Sequence, residues 1–466
     1  MPLQPRRHGV SSESKDEIGQ NIRQMREHQR RPHRPVAMFP QRAGIAGRTY
    51  CAAPIGCGGL KSRSIVDLDV DRVFGLGELT MQLSLDGIRV LELARFQAGP
   101  RGGMILSDLG AEVIKVERIG GEETRSNPPI VRGQSVYFAV YNRGKKSICL
   151  DMRTVEGKGI FAELVRKTDI VLENFRPGTM AAMGFGYEAL KALKHDIILV
   201  SVSGFGQYGP YRDFPAFDPL GQAMSGLMSL TGQPVGQPVG TAFSLVDRTT
   251  ALHATIGALA ALRHRDRTGE GQTIDCCLLD SALTMVEIPS IYYLDTGEEG
   301  GEGGRPPYRA KDGWVVISAV GYEMVEKLMR IIGPGRDPAG SSTEPMNSSV
   351  GRGDERRRLL ESWCSERSVT DILETLQSSG VPVAPVRNIP EVTRDAHMWQ
   401  REMLAKQPDA LAGEIHVPGL AVKMSATPGR IGPVPTPGQH TDEILTSLLN
   451  YDAERLQSLR SAKVIA

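Results

Sequence analysis

From about residue 85 the chain alternates short apolar runs with segments of helical periodicity. Ile88 to Leu93 (IRVLEL), Glu112 to Glu117 (EVIKVE), Ser147 to Met152, Asp169 to Phe175 (DIVLENF) and Asp196 to Val202 (DIILVSV) read as strands. Between them, Gly99 to Leu109 places small residues on one face, and Thr154 to Lys167 and Tyr187 to Leu193 repeat apolar residues at helical spacing. Short apolar strands separated by helices predict βαβ units and a parallel sheet covered on both faces. Ligands of such sheets bind beyond the carboxyl ends of the strands, which directs attention to the loops after Leu93, Glu117, Phe175 and Ser203.

After Pro219 the pattern changes. Helices are predicted from Pro219 to about Leu230 and, Ala-rich, from Leu245 to about Arg265, followed by a strand at Thr273 to Leu279 and a glycine-dense acidic stretch, Gly297 to Gly304. A strand at Trp314 to Val320 with helices near 323–332, 356–365 and 369–377 predicts a smaller α/β domain. The tail from about Val392 is rich in Pro and Gly and ends in a helix at Thr441 to Leu449; so irregular a tail is expected to pack along another domain. The expected divisions are an extension (1–80), a large α/β domain (81–240), a linker helix region (241–280), a small domain (281–391) and a returning C-terminal segment (392–466).

Composition narrows the function classes. The 466 residues carry 55 Lys+Arg against 54 Asp+Glu, a net charge of +1, which argues against a nucleic-acid binder working through bulk charge. No apolar run reaches the roughly eighteen residues of a membrane span. Up to about Arg48, Arg outnumbers acidic residues among Pro, Ser and Gln, a composition that predicts disorder and lacks the apolar core of a secretory signal. Gly77-Glu78-Leu79-Thr80-Met81 can be encoded with a purine-rich GGAGA element just before an ATG, so Met81 is the expected start; N-terminal mass spectrometry of the native protein tests it. The six Cys form no CxxC pair and no zinc-ligand spacing, which fits thiols in a reducing cytoplasm.

Several residues are candidates for chemistry. Gly204-Phe205-Gly206-Gln207-Tyr208-Gly209 matches GxGxxG after a strand, but Pro210 and polar residues follow, so no helix opens there to meet a pyrophosphate. Asp218 before Pro219 reads as a helix N-cap with Pro at the first position, and equally as a carboxylate able to attack an activated carbonyl. Gln97 follows the first strand, where its amide either donates to an acyl oxygen or ties down the turn. Lys145 and Lys146 read by themselves as a solvated strand edge. Arg118, Arg125 and Arg176 each follow a strand end, an arrangement suited to a phosphate-bearing ligand. His195 has no partner in view and is assigned a structural role. No HExxH or GxSxG pattern is present, which argues against metal- and serine-hydrolase chemistry.

From Leu85 to about Leu449 the chain resembles the family III CoA-transferases, which include formyl-CoA transferase, carnitine CoA-transferase and α-methylacyl-CoA racemase. The matching segments occur in order: LDGIRVLELARFQAGP (85–100), LGAEVIKVER (109–118), YNRGKKSICLD (141–151), ENFRPGTMAAMGFGYEAL (173–190), VSGFGQYGP (202–210), FDPLGQAMSGLMSLTG (217–232), DGWVVIS (312–318), GVPVAPV (380–386), MSATPG (424–429) and GQHTDEIL (438–445). The resemblance implies a Rossmann-like large domain with a parallel sheet, a smaller α/β domain, long linkers and an interlocked homodimer. It implies that CoA moves from an acyl-CoA to a free carboxylic acid through anhydride and thioester intermediates on Asp218. Gln97 is then a donor toward acyl oxygens, and Ala98, Arg118, Lys145, Lys146, Asn174, Phe175 and Arg176 match positions that bind CoA. Coenzyme A or acyl-CoA is implied as substrate, with no tightly bound cofactor and no metal. The glycines of 300–304 match loosely a loop that covers the active site in some members.

Two departures stand out. Ala182 occupies a place where many members have a basic residue, so one phosphate contact is either missing or supplied by Arg176. Ala216-Phe217-Asp218 stands where the racemase branch has Gly-His-Asp, which favours transfer over two-base racemisation. A racemase or isomerase of the same family, and a CoA-binding homologue without turnover, are the alternatives. The retention of both Asp218 and Gln97 argues against the latter.

Overall fold

Val90 and Leu91 are both fully buried although they point to opposite faces of one strand, the signature of a sheet covered on both sides. In the computed structural model, which describes residues 82–232, 236–300, 306–333 and 352–466, that strand is β1 (Arg89–Glu92). The arm up to Met81, the start expected at Met81 and residues 301–304 of the glycine stretch lie outside the described residues.

Five further strands join β1: β2 (Glu112–Glu117), β3 (Lys146–Cys149), β4 (Ile170–Glu173), β5 (Ile198–Ser203) and β6 (Thr273–Cys277). Their order is β3-β2-β1-β4-β5-β6, and every pairing is parallel. This is the doubly wound order, in which the connections reverse direction between β1 and β4 and open a crevice there at the carboxyl ends. The flanking helices are α1 (Ala98–Asp108), α2 (Val136–Asn142), α3 (Val155–Val165), α4 (Tyr187–Leu193), α5 (Asp218–Met224) and α6 (Leu245–Thr268).

Alternate strand residues feed two cores. Leu91, Ile114, Ile148 and Val171 pack against Phe161 and Leu164 of α3. Val90, Val113, Ile170, Ile198 and Val200 pack against Ala254, Ala258, Ala261 and Leu262 of α6. Truncating a side chain as enclosed as Leu91 to Ala costs about 2–5 kcal/mol.

A linker over 241–280 is not what forms. The Ala-rich face of α6 lies against the sheet, and β6 is the sheet's sixth strand, paired with β5 from Leu199↔Thr273 to Ser203↔Cys277. The sequence misled because α6 has polar residues along much of its length and its buried face is built from small residues, a weak apolar signal.

Beyond β6 come α7 (Leu278–Leu283) and α8 (Glu287–Thr296), then a three-stranded antiparallel sheet of β7 (Tyr308–Arg309), β8 (Trp314–Ile317) and β9 (Val383–Pro385), with β8 in the middle. Its core is shared with α9 (Tyr322–Ile332), α10 (Arg352–Ser365) and α11 (Val369–Ser378). A hairpin of β10 (Leu404–Asp409) and β11 (Gly413–Pro418) follows, and Ile415 and Val417 pack on Phe138 of α2. The final helices, α12 (Thr441–Leu449) and α13 (Ala453–Ser461), add Ile444, Leu445, Leu456 and Leu459 to the core beneath α3, and Ile465 bridges to Leu150. No described helix is long and apolar enough to cross a membrane.

Candidate active site

The turn from β1 into α1 builds the first wall. Phe96 takes the left-handed conformation at φ 65°, costly for a non-glycine residue, and its ring meets Phe217 edge-on at 5.9 Å. That contact joins the loop after β1 to the residue before Asp218. Gln97, next in sequence, is buried, and its Nε2 reaches the carbonyl of Ser244 at 3.4 Å.

Asp218 is the first residue of α5, with Phe217 in the N-cap position, so the capping role suggested by its place before Pro219 does not form. Its carboxylate is buried and faces the start of α6 instead. Oδ2 accepts the backbone N–H of Asp247 at 3.0 Å, and Oδ1 accepts from the side-chain amide of Gln222 one turn along α5. Gln222 is held in turn, because its Oε1 accepts the N–H of Thr241 at 2.9 Å. Amide and N–H are donors, so each oxygen of Asp218 is oriented by a group that stabilises negative charge.

A second carboxyl group sits beside the first. Burial, and then the charge of Asp218, push the carboxyl of Asp247 up to about 7, against a smaller opposite pull from Arg248. The phenol of Tyr137 is also raised, by burial and then by Asp247.

The glycine-rich segment after β5 has a packing explanation. A Cβ on Gly204 would stand 2.3 Å from the Cβ of Ala216, two residues before Asp218. The motif lets the Asp218 loop close onto the end of β5, and neither Gly206 nor Gly209 opens a helix.

The residues matched to CoA binding divide into two groups. Arg118 and Arg176 are exposed after β2 and β4, at the carboxyl rim, and Arg118 Nε donates to the Gly121 carbonyl at 2.9 Å. Asn174 faces the turn after β1: its Oδ1 accepts from Arg95 N at 2.8 Å and its Nδ2 donates to the Arg95 carbonyl at 2.6 Å, pinning the crevice at the topological switch. Phe175 lies beneath the Arg95 guanidinium, 5.6 Å from the ring centre, and Ala98 is buried at the start of α1.

Lys145 and Lys146 belong elsewhere. Lys145 is fully enclosed and donates to Glu92 Oε1 at 2.8 Å, to the Pro100 carbonyl at 2.8 Å and to Asn142 Oδ1 at 2.9 Å. Lys146 begins β3 at the amino-terminal rim, paired with Glu112 at 2.9 Å and Glu443 at 2.6 Å. Neither stands at the carboxyl rim with Arg118, so the solvated-edge reading also fails for Lys145. Arg125 pairs with Glu117 at 2.6 Å and stacks on Phe138, and His195 is exposed.

Gln222, Asp247 and the buried carboxylate of Glu92 escaped the sequence reading. Gln222 had a signal, since a side chain four residues along a helix faces the first. Asp247 had none, because its contact with Asp218 spans 29 residues.

The family model of CoA-transferase family III matches residues 85–441. The chain belongs to that family. This CoA-transferase is 36% identical over 396 residues to the succinyl-CoA–D-citramalate CoA-transferase of Chloroflexus aurantiacus, covering 82% of this chain and 98% of the relative. It is 34% identical to the human succinyl-CoA:glutarate CoA-transferase over 392 residues, 82% of this chain and 90% of that one. Among solved structures, a CaiB/BaiF-family protein from Brucella suis superposes with a TM-score of 0.68 at 32% identity, covering 79% of this chain and all (100%) of its own. The mixed α/β architecture with its parallel central sheet is therefore the architecture of a family III CoA-transferase.

Proposed function

We propose that the enzyme moves CoA from an acyl-CoA thioester to a free carboxylic acid with Asp218 as the covalent nucleophile. The carrying observation is the buried Asp218 carboxylate held by Gln222 and the Asp247 N–H in the neighbourhood of Gln97. An oxygen of Asp218 attacks the thioester carbonyl, the C–S bond breaks, and CoA leaves as thiolate, giving a mixed anhydride. The thiolate attacks Cγ of Asp218, releasing the donor acid and leaving an aspartyl-CoA thioester. The acceptor carboxylate attacks that thioester and re-forms an anhydride, and the thiolate then attacks the acceptor's carbonyl and frees Asp218. In each tetrahedral intermediate on Cγ, the oxygen that becomes an oxyanion already faces a donor. Gln97 is assigned to the substrate's acyl oxygen. The relatives named for succinyl-CoA support a short dicarboxylic acid as donor.

Arg118 and Arg176 at the carboxyl rim are assigned to the CoA phosphates, with the crevice pinned by Asn174 beside them. A second copy of the chain is assigned to α8, none of whose residues is buried although Ile288, Ile291, Tyr293 and Leu294 all lie on it; this supports the interlocked homodimer. Cys149, Cys276, Cys277 and Cys364 are all free thiols, which supports a reducing compartment such as the cytoplasm.

Incubation with succinyl-CoA followed by hydroxylamine or borohydride is expected to modify Asp218, read by peptide mass spectrometry. Asp218→Ala is expected to lower transfer by at least about 10⁴-fold. Solvent deuterium entering the α-carbon of the acyl group, without trapping at Asp218, would instead establish an isomerase.

A further inference from the structure

Helices α1 and α6 lie against each other near Asp218. Gln97, just before α1, meets Ser244, just before α6, and further along Gly102 faces the carbonyl of Ala251. Four residues in from Gln97 and from Ser244 stand Arg101 and Arg248, on the same helical faces as the two that touch.

Both arginines are half-buried, and each has a fully enclosed Nε without a hydrogen-bond partner. No carboxylate among the described residues pairs with Arg101. The acid nearest it on its own helix, Asp108, takes two bonds from Arg143 instead. Arg248 has the Tyr141 hydroxyl at 3.5 Å and the Phe243 ring at 5.1 Å, both uncharged partners. Burial holds the Arg101 guanidinium below its usual range, Tyr141 and Asp108 oppose the shift, and Arg248 and Arg143 add to it. Two unpaired cations side by side in a half-buried site form an arrangement that a bound anion relieves.

Position identifies the anion. Arg248 follows directly on Asp247, whose N–H holds the reacting carboxylate, so the pair borders the acyl end of the substrate. The exposed rim after β2 and β4 lies at other loops. Guanidinium forks match a carboxylate in two-point contact.

We propose that Arg101 and Arg248 form a subsite for the distal carboxylate of a short dicarboxylic acid whose other carboxyl group reacts at Asp218. This rests on the reading of Asp218 as nucleophile. The subsite makes the enzyme select diacids over monoacids of equal length, both as acyl donor and as acceptor.

The test is competition. With succinyl-CoA as donor, a mixture of glutarate and pentanoate is offered, and the two CoA products are counted by mass spectrometry. The wild type is expected to favour glutarate, and Arg101→Met and Arg248→Met are each expected to lower that preference by at least about tenfold. Arg101→Gln and Arg248→Gln, which keep a polar head but lose the charge, provide the same comparison if a Met variant does not fold. A wild type without diacid preference, or a preference unchanged in folded variants, overturns the proposal. So does an equal rise in KM for succinyl-CoA and pentanoyl-CoA with the preference intact, which would assign the pair to CoA phosphates. Trapping at Asp218 in the wild type is read in parallel, so failure of the nucleophile is seen separately from failure of the subsite.

Discussion

The backbone N–H of Asp247 donates to Asp218 Oδ2 at 3.0 Å, so the first turn of α6 holds one oxygen of this carboxylate while Gln222 holds the other. Because α6 is also the helix that covers the sheet beside β5 and β6, the position of Asp218 is set by the core rather than by its own loop. In the proposed mechanism a mobile carboxylate would have to be oriented anew in each of four covalent steps, and fixing it beforehand would lower every barrier.

Gln222→Ala removes the donor at Oδ1 and leaves the Thr241 N–H without its acceptor. The expected outcome is a fall of about 10²-fold in kcat with a smaller change in KM, because the donor acts on charge that develops at Cγ. The rate of hydroxylamine trapping at position 218 should fall in parallel. The accompanying loss of stability is about 1–3 kcal/mol, measured by denaturant unfolding.

Asp247→Asn keeps the backbone N–H and removes a titration. The carboxyl of Asp247 is raised from 3.8 to about 7, first by burial and then by Asp218. The folded protein thus retains a proton that the unfolded chain releases across this interval, so this group's contribution is intact below 3.8 and is lost as pH rises through about 7. The variant should therefore gain stability relative to the wild type as pH rises toward 7, with the difference vanishing at the acid end. Paired denaturant titrations over that range measure it, and a difference independent of pH would contradict the assignment.

Glu92→Gln removes the carboxylate that the buried Lys145 pairs with and one of the two held by Lys115, which keeps Glu122 at 2.7 Å. Lys115 and Lys145 both reach Glu92 Oε1, at 3.2 and 2.8 Å, and all three side chains are enclosed. Breaking such a cluster from one side costs about 3–5 kcal/mol. Burial already lowers the Lys145 ammonium from 10.5 to about 8 despite Glu92. Raising pH through that value neutralises it, so the deficit of Glu92→Gln relative to wild type should shrink between pH 7 and 10. Thermal melts across that range test both parts.

The sheet was legible because strands covered on both faces must be apolar throughout, and IRVLEL, DIVLENF and DIILVSV have no other use for so many branched residues. The roles proposed for Asp218 and Gln97 rest on the match of whole segments. What escaped was what the tertiary fold alone brings together: Asp247 to Asp218, Arg101 to Arg248, and Lys145 inward to Glu92. A lysine before a strand looks solvated until the chain places a buried carboxylate beside it, and no local pattern encodes that partner. The small-residue face of α6 hid a core helix for the same reason, since alanine reports burial weakly.

Gly204 offers a separate test of how Asp218 is placed. Its absent side chain admits Ala216, whose Cβ would otherwise lie at 2.3 Å, and Asp218 follows two residues later. Gly204→Ala must push that loop away from β5, costing about 1–3 kcal/mol and displacing the carboxylate from the Asp247 N–H. Because a displacement on the order of 1 Å can cost 10²-fold in rate, kcat should fall by about that factor. Gly209→Ala is the control: it is strained by its φ of 95° but meets nothing within 4 Å. It should lower stability by about 1 kcal/mol while leaving transfer nearly intact. Equal kinetic losses in the two variants would show that general loosening of the segment, and not the seating of Asp218 against β5, governs the rate.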